Sequence, residues 1–237
     1  MKQQSGFTLL ELMLACALSL FLLLGLMQIY LAVQKNFIFQ NALISIEENG
    51  RFAAHFLSRN IRLAGYAACV ADHWVDQDLA IHGYQDNLPA YLQGKVVKGN
   101  DSVEIGRCQM VGTKEQFSQE AYIISDSGRK NAVGGKIYAL YLAPMTGNKR
   151  ELVSGVMQMK IKYGVAGVDG KNIAAYLPAE QVTDWLAVRA VEIALSISSE
   201  QPVFTKAQSW LFSGVTMLAD RFLHGEWQIY ISLRERS

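Results

Sequence analysis

The 237-residue chain lacks the clustered positive charge that nucleic-acid binding requires. Its 22 Lys and Arg residues are balanced by 21 Asp and Glu residues, and no run of Lys and Arg is longer than two. Phosphate backbones are bound by basic clusters on one surface rather than by scattered charges. The sequence therefore gives no reason to expect a nucleic-acid partner.

Recognisable catalytic and metal-binding patterns are also missing. No Gly-x-Ser-x-Gly elbow occurs, and the 4 histidines show no H-x-x-x-H spacing. The acidic tract Asp72–Asp78 fails the spacing of an EF-hand loop, so we interpret it as a solvated loop. The glycines of 164–170 lack the context of a phosphate-binding loop. We expect no catalytic residue, no metal site and no cofactor, and we predict that the chain is not an enzyme.

Charge is absent from Leu12 to Val33, within an apolar block that begins at Phe7. About twenty apolar residues, at roughly 1.5 Å each, span a hydrocarbon core of roughly 30 Å. The stretch is about twice as long as the h-region of a signal peptide, and no small-x-small cleavage site follows it. A buried helix of a soluble domain rarely needs so long an uncharged run. We predict a transmembrane helix over 7–33 that stays in the mature protein.

Glu11 is the one charged residue inside this apolar block. An ionisable group in a membrane segment is costly and usually has a partner. The short leader 1–6 ends on Gly6, and cleavage after it would expose an α-amino cation on Phe7. That cation and Glu11 could neutralise each other, within one chain or between neighbouring subunits.

The string Gly6-Phe7-Thr8-Leu9-Leu10-Glu11 and its apolar continuation resemble the class III signal of type IV pilins and type II secretion pseudopilins. The resemblance implies that a prepilin peptidase cuts after Gly6 and that Phe7 becomes the methylated first residue. It also implies that Glu11 docks the subunit into a growing fibre. The chain would cross the inner membrane once, with its N-terminus cytoplasmic and its head periplasmic, and would be incorporated into a pilus.

Two further segments resemble the PilW-type minor pilins. Asn60–Tyr66 followed by Cys69 looks like the N-I-R-x-A-G-Y-x-x-C segment of that family. Ile231–Arg236 is similar to its closing strand with the L-R-x-R ending, although the family usually has Asn where Glu235 stands. The resemblance implies a minor pilin that primes or caps type IV pilus assembly, with other minor pilins and the major pilin as partners.

Two alternatives remain open. Within the same architecture, the chain could be a minor pseudopilin of a type II secretion system. In another class, it could be a membrane-tethered adhesin or binding module that uses 71–130, where Trp74, Tyr84 and Tyr91 would line a binding surface.

The chain has 3 cysteines. Cys16 lies in the predicted span, where a thiol behaves as a small apolar group. Cys69 and Cys108 lie in the part that would be exported, and an oxidising periplasm favours a disulfide between them. Such a bond would close a loop of about forty residues and stabilise the fold by roughly 3–4 kcal/mol. Metal binding is the alternative, but two lone cysteines lack the paired spacing of a zinc site.

The helical pattern continues beyond the apolar block. Apolar residues recur at steps of three and four as far as Ala64, and Gly65 follows as a C-terminal stop. We predict that 34–65 forms the periplasmic continuation of the same helix. The alternative is two helices with a break near Asn36 or Gly50.

The remaining residues, 66–237, are predicted to form a globular α+β head. The turn-rich stretch Gly164–Asn172 is predicted to join two of its strands. The fold class is therefore α+β and type IV pilin-like, with a long N-terminal helix packed on an antiparallel sheet. The segments rich in β-formers, which are predicted to build that sheet, are Lys136–Ala143, Val156–Val165, Val188–Ser198 and Gln228–Arg234.

Overall fold

The computed structural model describes residues 8–65, 80–111, 114–167 and 172–233. These residues form one long helix followed by antiparallel strands, with two short 3₁₀ helices before the eighth strand. In chain order the helix and strands are α1 (Leu9–Ile61), β1 (Ile81–Tyr84), β2 (Ser102–Val111), β3 (Lys114–Lys130), β4 (Lys136–Pro144), β5 (Arg150–Ser154), β6 (Val156–Ala166), β7 (Ile173–Leu177), β8 (Val188–Ser198), β9 (Gln208–Phe212), β10 (Val215–Asp220) and β11 (His224–Ser232).

The helix α1 passes through Asn36 and Gly50 without interruption, so the alternative of two helices is not observed. It ends at Ile61, and a hydrogen-bonded turn follows over 62–65. Gly65 has a φ of +74°, in the left-handed region that glycine adopts at helix ends without steric cost. α1 therefore ends four residues before the predicted stop, and Gly65 closes the turn that follows it.

The chain divides into two compact units, Met1–Asn41 and Ala42–Ser237. The described part of the first unit is the cap residue Thr8 and the beginning of α1, and every described side chain in it is exposed. This helix is long and apolar enough to cross a membrane by its length and composition.

The second unit contains two sheets and a separate hairpin among its described residues. One sheet has the strand order β1-β2-β3-β4-β5, the other has the order β11-β8-β6-β7, and β9 pairs only with β10. In the second sheet, Ile193 lies opposite Ile161 on one side and Ile229 on the other. All three isoleucines are buried, so register and hydrophobic pattern agree across the three strands.

The four predicted strands are present, with small changes at their ends. The expectation that they form one sheet is wrong, because β4 belongs to the first sheet whereas β6, β8 and β11 belong to the second. The turn-rich stretch after β6 leads to the short strand β7, which was not predicted. Residues 168–171 of that connection lie outside the described part of the chain.

The main core joins the second half of α1 to both sheets. Buried helix residues recur at steps of three and four, which places them on one face. Gly50 belongs to this face because Trp227 packs against it. A Cβ atom at Gly50 would lie 2.0 Å from the indole Nε1 of Trp227. The buried helix residues are Ile46, Gly50, Ala53, Leu57 and Ile61.

A smaller core covers the opposite face of the first sheet. Successive side chains of β3 alternate between the two cores, since Tyr122 and Ile124 face the main core while Ala121 and Ile123 face the smaller one. The segment between β1 and β2 closes this face with the buried Leu92. The sheet is therefore apolar on both sides.

Candidate functional site

Gly6 and Phe7 lie outside the described residues. Cleavage after Gly6 and methylation of Phe7 therefore stay predictions. The described structure begins at Thr8, where the exposed start of α1 can be examined directly.

Thr8 and Glu11 form a reciprocal cap at this helix start. The Thr8 backbone N–H donates to Glu11 Oε2 at 3.0 Å, and the Glu11 N–H donates to Thr8 Oγ1 at 3.3 Å. The Thr8 hydroxyl also donates to Glu11 Oε2 at 3.1 Å. This is the capping box of the T-x-x-E pattern, which satisfies two donors that a helix start leaves unpaired. This role of Glu11 was not predicted, although the T-x-x-E pattern stands in the sequence.

The capping box leaves Glu11 with unused acceptor capacity. The two hydrogen bonds that its carboxylate accepts from Thr8 both fall on Oε2. A carboxylate has two oxygens with about four acceptor sites, so Oε1 is available to a further donor. Glu11 can therefore hold the helix start and accept from a cationic partner at the same time.

Beyond Glu11, α1 presents an uninterrupted exposed apolar surface. Phe21 is 77% exposed and Leu22 is 70% exposed. Cys16 is a free, exposed thiol on this surface, and Ser19 donates to its carbonyl at 2.8 Å. Soluble monomers rarely expose apolar patches of this size, so the surface marks a membrane or protein contact.

The other end of α1 is fixed to the first sheet by Asn60. Its side-chain oxygen accepts a hydrogen bond from Arg107 Nη1 at 3.1 Å, and the other guanidinium nitrogen Nη2 lies 2.9 Å from Glu120 Oε2. The side-chain amide of Asn60 also donates to the Phe56 carbonyl at 2.9 Å. Asn60 thus joins the helix end to an ion pair on β2 and β3, a role that the sequence analysis did not assign.

The rest of the PilW-like segment continues this junction. Ile61 and Ala64 are buried, and the Gly65 N–H donates to the Gly106 carbonyl at 2.8 Å. Arg62 is exposed. Tyr66 and Cys69 of the same segment lie outside the described residues. The described part of the motif therefore attaches the helix end to β2.

Cys108 lies on β2 and is only 7% exposed. It stands opposite Phe117 in the register of β2 and β3. Its predicted disulfide partner, Cys69, lies outside the described residues, and so does the acidic tract Asp72–Asp78. The pairing of Cys69 with Cys108 therefore stays a prediction. Within the described ranges, no group of at least three His, Cys, Asp or Glu residues could hold a metal ion.

Two aromatic residues of the predicted binding surface are packed instead. Tyr84 and Tyr91 pack against the smaller core. The Tyr84 hydroxyl donates to Glu104 at 2.7 Å. Burial, followed by this hydrogen bond, raises the pKa of Tyr84 well above its usual value. Trp74 lies outside the described residues. The two tyrosines therefore contribute to packing rather than to an exposed aromatic patch.

Comparison with known proteins gives two family matches. The prokaryotic N-terminal methylation motif matches residues 1–27, and the family of type IV pilus-assembly protein W (PilW) matches residues 121–223. None of the curated proteins compared with the chain matches it. Among solved structures, a type IV-like pilin from Thermus thermophilus is similar, with 14% identity and a TM-score of 0.47 over 79% of this chain and 95% of that one.

The match to the methylation motif, the long apolar helix and the antiparallel sheets are features of the type IV pilin-like class. Within that class, the chain is similar to the PilW family from the second half of β3 to β10, which is less than half of its length. The residues of that match lie between the two segments on which the sequence resemblance rested.

Proposed function

We propose that this protein is a minor pilin that takes part in type IV pilus assembly, priming or capping the fibre with other minor pilins. The observation that carries the proposal is the exposed apolar helix that starts at the Thr8–Glu11 cap. An apolar helix of this kind can be surrounded by lipid in a membrane or by similar helices in a bundle. Pilus assembly would transfer it from the first environment to the second.

Glu11 would control that transfer. An unpaired carboxylate in a membrane helix costs roughly 2.5–3.5 kcal/mol at the helix centre and less near the end. A neighbouring subunit that brings its Phe7 amine to Glu11 would remove this cost. Because Thr8 already holds Oε2, the amine would meet a carboxylate with a fixed orientation.

The second unit would decide which subunits fit beside the protein. In this proposal the first part of α1 anchors the chain in the inner membrane, and the β-rich unit lies in the periplasm. An oxidising periplasm would allow Cys69 and Cys108 to form a disulfide. The partners would be the other minor pilins and the major pilin, after processing by the prepilin peptidase.

Mass spectrometry of the protein from its native membrane tests the processing. We expect a chain that begins at Phe7 and carries one added methyl group. The same sample, alkylated without reduction, should show Cys69 and Cys108 protected and Cys16 alkylated. A chain that keeps Met1 to Gly6 in cells with an active prepilin peptidase would contradict the proposal.

Replacing Glu11 by Leu tests the assembly step. We expect the variant to be processed and inserted normally but to be lost from sheared pili, because the docking carboxylate is gone. Ser19→Ala, on the same exposed helix, is the matched control and should assemble normally. A wild-type protein that is processed but found only with secretion machinery would instead support the pseudopilin alternative.

A further inference from the structure

The exposed face of α1 in the second unit carries a polarised row of charges. Glu47 and Glu48 come first, and the basic residues follow. At about 100° per residue, all of these side chains fall within an arc of about 120°. They lie away from the buried face, and each is exposed. The basic members of the row are Arg51, His55 and Arg59 on α1 and Arg62 directly after it.

The three arginines of this row make no ion pair with the described residues. Glu47 and Arg51 have the i,i+4 spacing that favours pairing on a helix, yet they do not meet. Salt bridges form elsewhere in the second unit, for instance at Arg107 and Arg129. The arginines of this helix face are therefore unpaired within the described structure.

The basic residues line one wall of an open groove of about 1040 Å³. Trp227, Ser232 and Leu233 line the other wall, at the edge strand β11 and just after it. Ala54 and Leu63 add apolar surface from the helix. We call this feature the basic groove. Its mixture of arginines and apolar side chains matches an occupant with an acidic edge and an apolar face.

We propose that the basic groove binds the helix of a neighbouring pilin-like subunit, aligned parallel to α1, through carboxylates on its exposed face. This inference rests on the proposed function, which places several such subunits side by side with their helices in one direction. Complementary charges of this kind steer association and fix the register between partners.

The charged row of α1 has acidic residues first and basic residues after them, and a partner helix with the same order could pair with it. The acidic turn at Glu47 and Glu48 precedes Arg59 and Arg62 by about thirteen residues, or roughly 20 Å along a helix. A parallel helix with the same order, shifted by that distance, brings its carboxylates opposite Arg59 and Arg62. An unshifted parallel helix with that order does not produce this pairing. An antiparallel helix would, but the proposed function places all the helices in one direction, so the shifted parallel arrangement is the one proposed.

Photo-cross-linking from within the groove tests the proposal in native membranes. The full chain carries benzoylphenylalanine in place of His55, which is exposed and lines the groove. We expect a cross-linked peptide from the helix of another pilin-like subunit, with at least two carboxylates in it. The double variant Arg59→Glu/Arg62→Glu should reduce this product by about tenfold, because attraction becomes repulsion.

The matched control is Lys98→Glu/Lys206→Glu, which makes the same change in net charge at exposed sites away from the groove. It should leave the cross-link unchanged. In the decisive arm, the carboxylates of the cross-linked partner peptide are changed to Arg in the strain with Arg59→Glu/Arg62→Glu. Restoration of the product would establish direct charge pairing.

Other outcomes overturn the inference. Cross-links to lipid alone, to a peptide outside a helix, or to no partner would show that the groove does not bind a neighbouring helix. The same conclusion follows if Arg59→Glu/Arg62→Glu leaves the product unchanged. A chain that is processed at Gly6 and enters pili under these outcomes still satisfies the proposed function. A chain that is not processed contradicts the proposed function itself.

Discussion

The two parts of α1 differ in how their apolar residues are covered. From Leu9 to Asn41 no described residue is buried, although this part is the most apolar of the chain. From Ala42 to Ile61 apolar residues on one face are buried against the sheets, and charged residues occupy the opposite face. Both parts belong to one helix with the same backbone hydrogen bonding.

The comparison shows that apolarity and burial are separate properties of a helix. A stripe of apolar residues at steps of three and four needs only one partner surface, and the second unit supplies it. A helix that is apolar on all sides needs an environment that surrounds it, such as lipid or other helices. The folded chain therefore covers the apolar residues of only the second part of α1 by itself. Substitutions in the two parts should have different consequences for stability, and the following predictions test that difference.

Leu57→Ala should have the largest effect. Leu57 is fully buried in the main core. Removing a buried leucine side chain costs about 2–5 kcal/mol of the free energy of unfolding, because transfer energy is lost and a cavity is left. Ile44→Ala, at a residue 54% exposed on the same helix, should change it by about 0.5 kcal/mol or less. Thermal and denaturant unfolding of the detergent-purified protein measure both values. Equal losses would contradict the assigned difference in burial.

Gly50→Ala should come next, and its sign should be opposite to that expected from helix propensity. Alanine normally stabilises a helix over glycine by about 1 kcal/mol. Here the new Cβ would overlap the Trp227 indole, so we expect a net loss of about 1–3 kcal/mol. Gly25→Ala is the control in the first unit, where a Cβ meets nothing within 4 Å and no loss is expected. Unfolding followed by tryptophan fluorescence tests the pair, and a stabilised Gly50→Ala variant would refute the packing argument.

Asn60→Ala should reduce stability by about 1–2 kcal/mol. The substitution removes the acceptor for Arg107 at the helix end, and hydrogen bonds to charged groups are stronger than neutral ones. The adjacent Arg59→Ala, at an exposed residue, is the control and should lie within about 0.5 kcal/mol of the wild type. Denaturant unfolding compares the two variants. If they behaved alike, the junction between α1 and β2 would not depend on Asn60.

Asp101→Asn should have the smallest effect on the free energy of unfolding, and that effect should depend on pH. Asp101 is buried between the sheets, where it accepts from the Ile161 N–H at 2.8 Å and from Lys160 Nζ at 3.0 Å. Burial raises the pKa of this carboxyl above its ordinary value of 3.8, although the two hydrogen bonds oppose the shift. The folded state therefore holds the proton more tightly than the unfolded state does.

The contribution of Asp101 to stability is complete below the ordinary pKa and is lost as pH rises through the raised pKa. Relative to Asp101→Asn, which does not titrate, the wild type should lose stability over this interval. Unfolding midpoints measured from about pH 3 to about pH 7 test the trend. Glu180→Gln, at an exposed residue, serves as the control. A wild type that gains stability relative to Asp101→Asn as pH rises would contradict the predicted sign.

The amino-acid sequence by itself determined the elements that carry strong local patterns. The charge-free run from Leu12 predicts the first part of α1, and steps of three and four predict the second. Glu11 drew attention as a lone charge in an apolar block. β8 was predicted with its observed bounds because branched and apolar residues run through it. In each case the pattern that predicts the element is formed by residues that are neighbours along the chain.

Only the tertiary structure decided which strands share a sheet and which side chains meet. The short, largely exposed strand β7 and the hairpin of β9 and β10 have no period that distinguishes them from loops. Asn60 and Arg107 are 47 positions apart, and no local pattern connects them. The basic groove likewise requires the edge strand β11 to lie beside the charged face of α1. Contacts between distant residues depend on how the whole chain packs, whereas helix and strand periods depend on neighbours along the chain.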